Sequence, residues 1–245
     1  MNNKTAVGIF VVIALVLLGL WATNFSPRTE EHVVVTQTQD EEKVSSESET
    51  STDNGASTTE VAVGTYTIVP EESTLRWSGK KPLIDGYINS GTLDVTAGTI
   101  VVTDMAKQGE FTIDMDTLVV SETRKKPGKE SLLEEHLKGE RWFDVGAFPT
   151  ATFSIDTVVS RPESVTTHLY DVTGTLTMKG QSGKLTFPAT IYQGEDGTVH
   201  AEASLEFDRT KWGISAGSSS FFDNLADNAV DDMVALSFDL TAIAK

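Results

Sequence analysis

Strict alternation of apolar and polar residues recurs along this chain, and no other feature restricts its fold as much. In "GEFTIDMDTLVV", Phe111, Ile113 and Met115 alternate with Thr112, Asp114 and Asp116. "VTGTLTMKG" sets Val172, Gly174, Leu176 and Met178 against Thr173, Thr175, Thr177 and Lys179. The same device returns in "HAEASLEFDR", with Ala201, Ala203, Leu205 and Phe207, and in "VALSFDL", with Val234, Leu236, Phe238 and Leu240. Side chains on a strand point alternately to opposite faces, so each segment has one dry face and one wet face. That is the signature of antiparallel sheet. Asp85-Gly86, Asn89-Ser90-Gly91, Gly180-Gln181-Ser182-Gly183 and Gly194-Glu195-Asp196-Gly197 read as turns between strands. "KESLLEEHLKG" predicts one short helix ending at Gly139, with Ser131 and Glu134 as a capping box, and "SSSFFDNLADNAV" allows another turn or two. Residues 65–245 are therefore expected to form one all-β domain. Periodicity leaves barrel and sandwich both open. Small inward residues (Gly174, Ala201, Ala203) beside large ones (Phe111, Phe207) would leave room inside a barrel.

The first 64 residues have a different character. "AVGIFVVIALVLLGLWA", Ala6 to Ala22, is an unbroken apolar run. At about 1.5 Å per residue a helix of this length spans roughly 25 Å, enough for a thin bilayer. No small-residue cleavage site stands out after Trp21, and Trp21 and Phe25 suit an interface, so residues 1–26 are expected to be an uncleaved membrane anchor. A cleaved signal segment is the alternative. The first reading gives a single-pass cell-membrane protein with its domain on the extracytoplasmic side, and the second a secreted or periplasmic one. Residues 27–64 are rich in Ser, Thr, Glu, Asp and Gln and are expected to be a disordered acidic linker. With 36 acidic against 19 basic residues the net charge is −17, which opposes nucleic-acid binding. "RKKPGK", Arg124 to Lys129, then reads as a solvated loop. Cysteine is absent, which excludes disulfides, thiolate metal ligands and a lipid-modified cysteine.

Chemistry-bearing patterns are few. Gly213-Ile214-Ser215-Ala216-Gly217 spells the G-x-S-x-G of serine esterases. That elbow needs a parallel strand before the serine and a helix after it, whereas here the preceding segment alternates like an antiparallel strand. A hydrolase built on Ser215 is kept as the enzymatic alternative, and a stalked surface module for protein contacts as a third. Asp223, Asp227, Asp231 and Asp232 lie close together but do not follow the spacing of a calcium loop. No two histidines lie at zinc-ligand spacing. No catalytic residue, metal or cofactor is expected.

Five landmarks, in order, resemble the YceI-like domain family. "YTIVPEESTLRWSGKK" resembles its opening strands, and "EEHLKGERWFDVGAFPTATFSI" its H-L, W-F-D and F-P-x-x-x-F elements. "GTLTMKGQSGKLTFPATI" resembles its G-x-L-T strand pair, "FDRTKWGI" its D-R-x-x-W-G-I signature, and "DNAVDDMVALSFDLTA" its last strand. The resemblance covers residues 65–245. It implies a lipocalin-like antiparallel barrel of eight strands with one or two short helices, and an apolar channel for a polyisoprenoid or prenyl-quinone-like amphiphile. The expected function is sequestration or transport of such a lipid, without enzymatic activity.

Burial of a methylene is worth about 0.8 kcal/mol, so a long chain can be held by enclosure alone. The candidate channel lining is Trp77, Phe111, Ile113, Met115, Trp142, Phe143, Phe153, Ile155, Leu176, Phe207 and Trp212, with Phe221 and Phe222 able to close over a lipid. The same side chains could instead fill a solid core. His136 and Arg209 stand at family landmarks and are candidate polar contacts, the alternative being that they fix the loops and helix to the barrel.

Overall fold

The computed structural model describes residues 59–161 and 168–245. The anchor expected over residues 1–26, and the linker as far as residue 58, lie outside the described residues. Nine strands follow one another: β1 (Gly64–Ile68), β2 (Thr74–Lys80), β3 (Ile88–Val102), β4 (Lys107–Thr123), β5 (Thr150–Ser160), β6 (Leu169–Met178), β7 (Gln181–Gln193), β8 (Val199–Asp208) and β9 (Met233–Ala244). Helix α1 (Glu130–Lys138) lies between β4 and β5.

The strands close into an antiparallel barrel with eight positions around its wall. From β3 to β9 each strand pairs with the next, and β1 and β2 share the remaining place between β3 and β9. Proline explains this break: Pro70 has no N–H for a ladder and starts a short 3-10 turn, Pro70–Glu72. The partner strand is not left unsatisfied. Val69 N donates to Thr241 O (2.8 Å), and Thr241 N donates to Ser73 Oγ (3.1 Å). The eight-stranded expectation therefore describes the barrel, and the count of nine records one interrupted strand.

Alternation is obeyed most cleanly in β6, where Tyr170, Val172, Gly174, Leu176 and Met178 are buried and the residues between them half-buried. On β8 the inward Ala201, Ala203 and Leu205 are only half-buried. Three register shifts bend β3 against β4, between Ser90 and Gly91, Thr92 and Asp94, and Val95 and Ala97. Such bulges curve a sheet toward closure. A Cβ on Gly91 would lie 1.7 Å from the Val119 carbonyl oxygen, so only glycine fits there.

Three sequence expectations are corrected. Asn89-Ser90-Gly91 is not a turn but lies within β3; the chain reverses at 81–87 instead, where Gly86 has φ +65°. No capping box forms on α1. Its N-cap is Lys129 with no side-chain cap, and Glu134 instead accepts from Val120 N (3.3 Å) and pairs with Lys138 (3.1 Å). The linker boundary at 64 falls too late: Thr59 bridges Gln193, and Val61 is buried in the core.

One end of the barrel is solid. Val61, Tyr66, Ile68, Val102, Val199 and Ala242 are all buried there and pack in one cluster. At the other end α1 with the segments 139–148 and 209–232 covers a space left between the strand ends.

Candidate functional site

That space is a cavity of about 330 Å³ between the strand ends and α1, bordered by both wall and cover. β2 supplies Leu75 and Trp77, β4 supplies Ile113 and Met115, and β6 supplies Leu176 and Met178. The cover supplies Leu133 and Leu137 from α1, and Trp142 and Phe143 from the turn after it. Lys179 pins that turn by donating to Glu140 O (3.0 Å) and Trp142 O (2.5 Å). Leu75, Ile113, Leu176 and Leu236 also border a second chamber of about 110 Å³ deeper in the barrel. All its lining side chains are apolar, and Phe153, Phe187 and Phe238 cross it with ring centroids 5.7 and 5.8 Å apart. The half-burial of Ile113, Phe153 and Leu236 follows from facing internal space, since their strands' other faces carry the polar residues.

Polar groups gather at the wide chamber. Lys80, Lys81, Asn89, Arg209 and Asp231 border it, together with Tyr87. Lys80 pairs with Asp231 at 3.4 Å and its side chain is 53% exposed, which marks where the chamber reaches the surface. Lys81 donates to Asp227 O (3.0 Å) and lies over the Tyr87 ring. Burial, with the charge of Lys126 nearby, pushes its ammonium below the ordinary lysine value, while Asp227 opposes the change. Trp77 Nε1 and Asn89 Oδ1 are buried without a hydrogen-bond partner among the described residues.

Arg209 organises the cover. It is 2% exposed, and Asp208 begins the turn beneath it by accepting from Thr210 N (2.9 Å) and Oγ1 (2.6 Å). The Arg209 guanidinium donates to Asp231 O (3.0 Å), Ile214 O (2.5 Å), Val230 O (3.2 Å) and Asp232 Oδ1 (3.5 Å), and stacks over Trp142. Burial pushes its pKa down, and the carboxylates of Asp232, Asp208 and Asp231 push it back up. Burial acts on Asp232 in the opposite sense, but hydrogen bonds from the Ser218 and Ser220 hydroxyls and the Arg209 charge hold its carboxyl below the usual range.

Of the residues expected to line a channel, Trp77, Met115, Trp142, Phe143 and Phe207 border the wide chamber. Phe111, Phe153 and Ile155 border the deep one, and Ile113 and Leu176 border both. Three aromatics are corrected. Trp212 is 1% exposed but borders neither chamber: its Nε1 donates to Leu176 O (3.0 Å) and its ring stands edge-on to Phe207. Phe221 and Phe222 are 59% and 48% exposed and border neither chamber. His136 is also corrected. It is exposed on the outer side of α1, because Leu133 and Leu137, four residues apart, take the inner side. Arg209 does border the chamber, with four of its hydrogen bonds already made to protein. Asn89, Leu133, Leu137, Leu236, Phe187 and Phe238 were missed. The alternation of "VALSFDL" and the i, i+4 leucines of α1 carried the signal for four of them.

The loop holding Ser215 is packed tightly. Ile214 and Ser218 are 0% exposed, Gly213 and Gly217 take positive φ, and a 3-10 turn from Arg209 to Trp212 replaces the strand-to-helix elbow. In the same region Asp231 pairs with Lys80, and Asp232 pairs with Arg209 and accepts from the Ser220 hydroxyl.

Comparison with known proteins agrees with this architecture. The crystal structure of BcnA from Burkholderia cenocepacia superposes with a TM-score of 0.55 at 20% identity, over 71% of this chain and 98% of that one. A polyisoprenoid binding domain from Saccharophagus degradans gives 0.54 at 15% identity, over 74% and 98%. These likenesses show the fold. No curated protein matches the chain in sequence. The YceI-like domain model matches residues 66–242, nearly the whole barrel from β1 to β9. The chain thus belongs to the YceI-like domain family.

Proposed function

We propose that this barrel holds a polyisoprenoid or prenyl-quinone-like amphiphile in its cavity, for sequestration or transport outside the cytoplasm, with residues 1–26 tethering it to the membrane. The observation that carries the reading is the two-chamber cavity. Its wide part falls in the size range of small-molecule sites, about 300–1,000 Å³, and it shares Leu75, Ile113, Leu176 and Leu236 with a chamber that has no polar lining. Apolar walls facing empty space forgo dispersion contacts that a hydrocarbon chain restores. The Saccharophagus structure, described as a polyisoprenoid binding domain, supports the same class of ligand. For the tether, the support is the apolar run Ala6–Ala22 and the acidic stretch after it.

Extraction of the full chain purified from its native cells, followed by mass spectrometry, tests the ligand. A prenyl lipid in near-equal amount to protein is the expected result. An empty protein that also takes up no added prenyl lipid overturns the reading. Ala201→Phe places a ring in the deep chamber, which Ala201 borders, and should abolish uptake while the barrel still folds. A surface interaction module would be indifferent to that change. Protease added to intact spheroplasts should remove the barrel and leave a membrane-bound stub. Full protection would argue against the extracytoplasmic tether.

A further inference from the structure

The chain carries a net charge of −17, yet residues 80–88 and 124–129 together hold six cations and one carboxylate, Asp85. The two segments lie side by side. Arg124 N donates to Ile88 O (3.1 Å), and a Cβ on Gly86 would stand 3.4 Å from Lys125 Cε. Three of the cations are matched: Lys80 pairs with Asp231, Lys81 donates to the Asp227 carbonyl, and Arg124 pairs with Glu122. Lys125, Lys126 and Lys129 are exposed and make no ion pair among the described residues. Glu130, the nearest acid in sequence, takes the Thr123 hydroxyl instead (2.6 Å).

The same face carries an exposed apolar turn. Lys81 N donates to Tyr87 O (3.2 Å) and Tyr87 N to Ile84 O (3.1 Å), which folds 81–87 back on itself with Tyr87 buried. Pro82 and Leu83 are left in solvent, Leu83 with 65% of its surface exposed. Both segments adjoin the mouth of the cavity. Lys80 and Lys81 border the wide chamber, and Lys126 is near enough for its charge to act on Lys81. Neighbouring unmatched cations call for anions, and an exposed leucine beside them calls for hydrocarbon. An anionic bilayer surface supplies both. A soluble polyanion would meet the lysines and leave Leu83 in water. At physiological salt, charges are screened beyond about 8 Å, so at contact these lysines outweigh the distant acids.

Resting on the lipid-binding reading above, we propose that Leu83 with Lys125, Lys126 and Lys129 forms a docking face for a bilayer containing anionic phospholipid. Leu83 enters the hydrocarbon boundary, and the lysines lie among the head groups. The mouth beside Lys80 then opens at the membrane surface, where an isoprenoid chain can pass between bilayer and cavity with little exposure to water.

The chain has no cysteine, so Leu83→Cys and Met105→Cys each give one site for an environment-sensitive dye. Met105, 97% exposed, lies in the turn after Val102 at the solid end of the barrel and serves as the control. Each labelled full chain is reconstituted into phosphatidylcholine vesicles, with and without about a third phosphatidylglycerol. The dye at 83 should shift to the blue and be quenched by doxyl-labelled lipid in the anionic vesicles alone, and the dye at 105 should stay in water in both. An N-terminal tether acts on both sites equally and cannot produce that difference. Replacing Lys125, Lys126 and Lys129 together by Gln should lower the docked-to-free ratio about a hundredfold, roughly fivefold for each lysine near an anionic surface. A dye at 83 that stays in water on anionic vesicles overturns the proposal. So does quenching that survives the triple substitution, equal quenching at 105, or an equal response to heparin without vesicles. Uptake of geranylgeraniol by the detergent-solubilised full chain reads the cargo separately. Uptake without docking overturns the docking face alone; docking without uptake overturns the lipid-binding reading and leaves the face as a membrane contact.

Discussion

Arg209 shows how one side chain can look functional in sequence and be structural in place. It borders the cavity, but its guanidinium ties together the carbonyls of Ile214, Val230 and Asp231, three points on the cover. Arg209→Leu removes a buried charge and leaves those carbonyls unpaired, and should cost about 3–5 kcal/mol in urea denaturation. Arg209→Lys should recover only part of this, because a single ammonium cannot reproduce the fork. Exposed aromatics give the contrasting case. Phe221→Ser and Phe222→Ser should change stability by less than about 0.5 kcal/mol and leave lipid uptake unchanged, as expected for exposed side chains that border neither chamber. At this scale the sequence was least legible. Trp77, Trp212 and Phe221 are all large aromatics near family landmarks, and composition does not distinguish a cavity wall, a packed core and a solvated loop. Asn89 was hidden for a different reason. In Asn89-Ser90-Gly91 the turn-forming residues imitate a reversal, whereas in the barrel the glycine serves a bulge and the asparagine occupies an inward position.

Secondary-structure elements were read much more surely than single residues, because a strand's phase depends on many residues at once. The inward sets of β4, β6, β8 and β9 follow directly from alternation, and α1 was expected within a residue of its bounds. What failed was whatever depends on a partner strand. The break between β1 and β2 and the bulges of β3 are dictated by register across the sheet, which no local window contains. Gly91→Ala tests the tightest of these contacts. Its Cβ would overlap the Val119 carbonyl, and the substitution should cost at least about 3 kcal/mol, measured by denaturation, with loss of protection at neighbouring β3–β4 amides. On α1, Leu137→Ala should cost about 2–4 kcal/mol, while Leu132→Ala on the exposed side should be nearly neutral.

For the molecule as a whole, acid is the condition that bears on most of its charged contacts. The carboxyls of Glu130, Glu134, Asp171, Asp196 and Asp232 are all held below their ordinary values, chiefly by hydrogen bonds and, at Asp232, against burial. A carboxyl depressed in the folded state binds fewer protons there than in the unfolded chain, so stability rises with pH across that window. This contribution should be complete above about pH 5 and should disappear as the pH falls through and below the ordinary carboxylate range near 4. Denaturation midpoints measured from pH 7 to pH 3 should show that fall, and Asp232→Asn should flatten it. The described residues contain no helix long and apolar enough to cross a membrane.

The solid end of the barrel has a consequence for the order of events. If the packing of Tyr66, Ile68, Val199 and their neighbours closes the far end, the cavity is a dead-end tunnel with its mouth beside Lys80. A lipid that enters tail first can leave only head first. Whatever donates the lipid or receives it must therefore meet the same end of the molecule, and loading and unloading compete for a single doorway. Exchange of one occupant for another then requires the first to depart before the second can arrive. Its rate should be independent of the incoming lipid's concentration once that lipid is in excess.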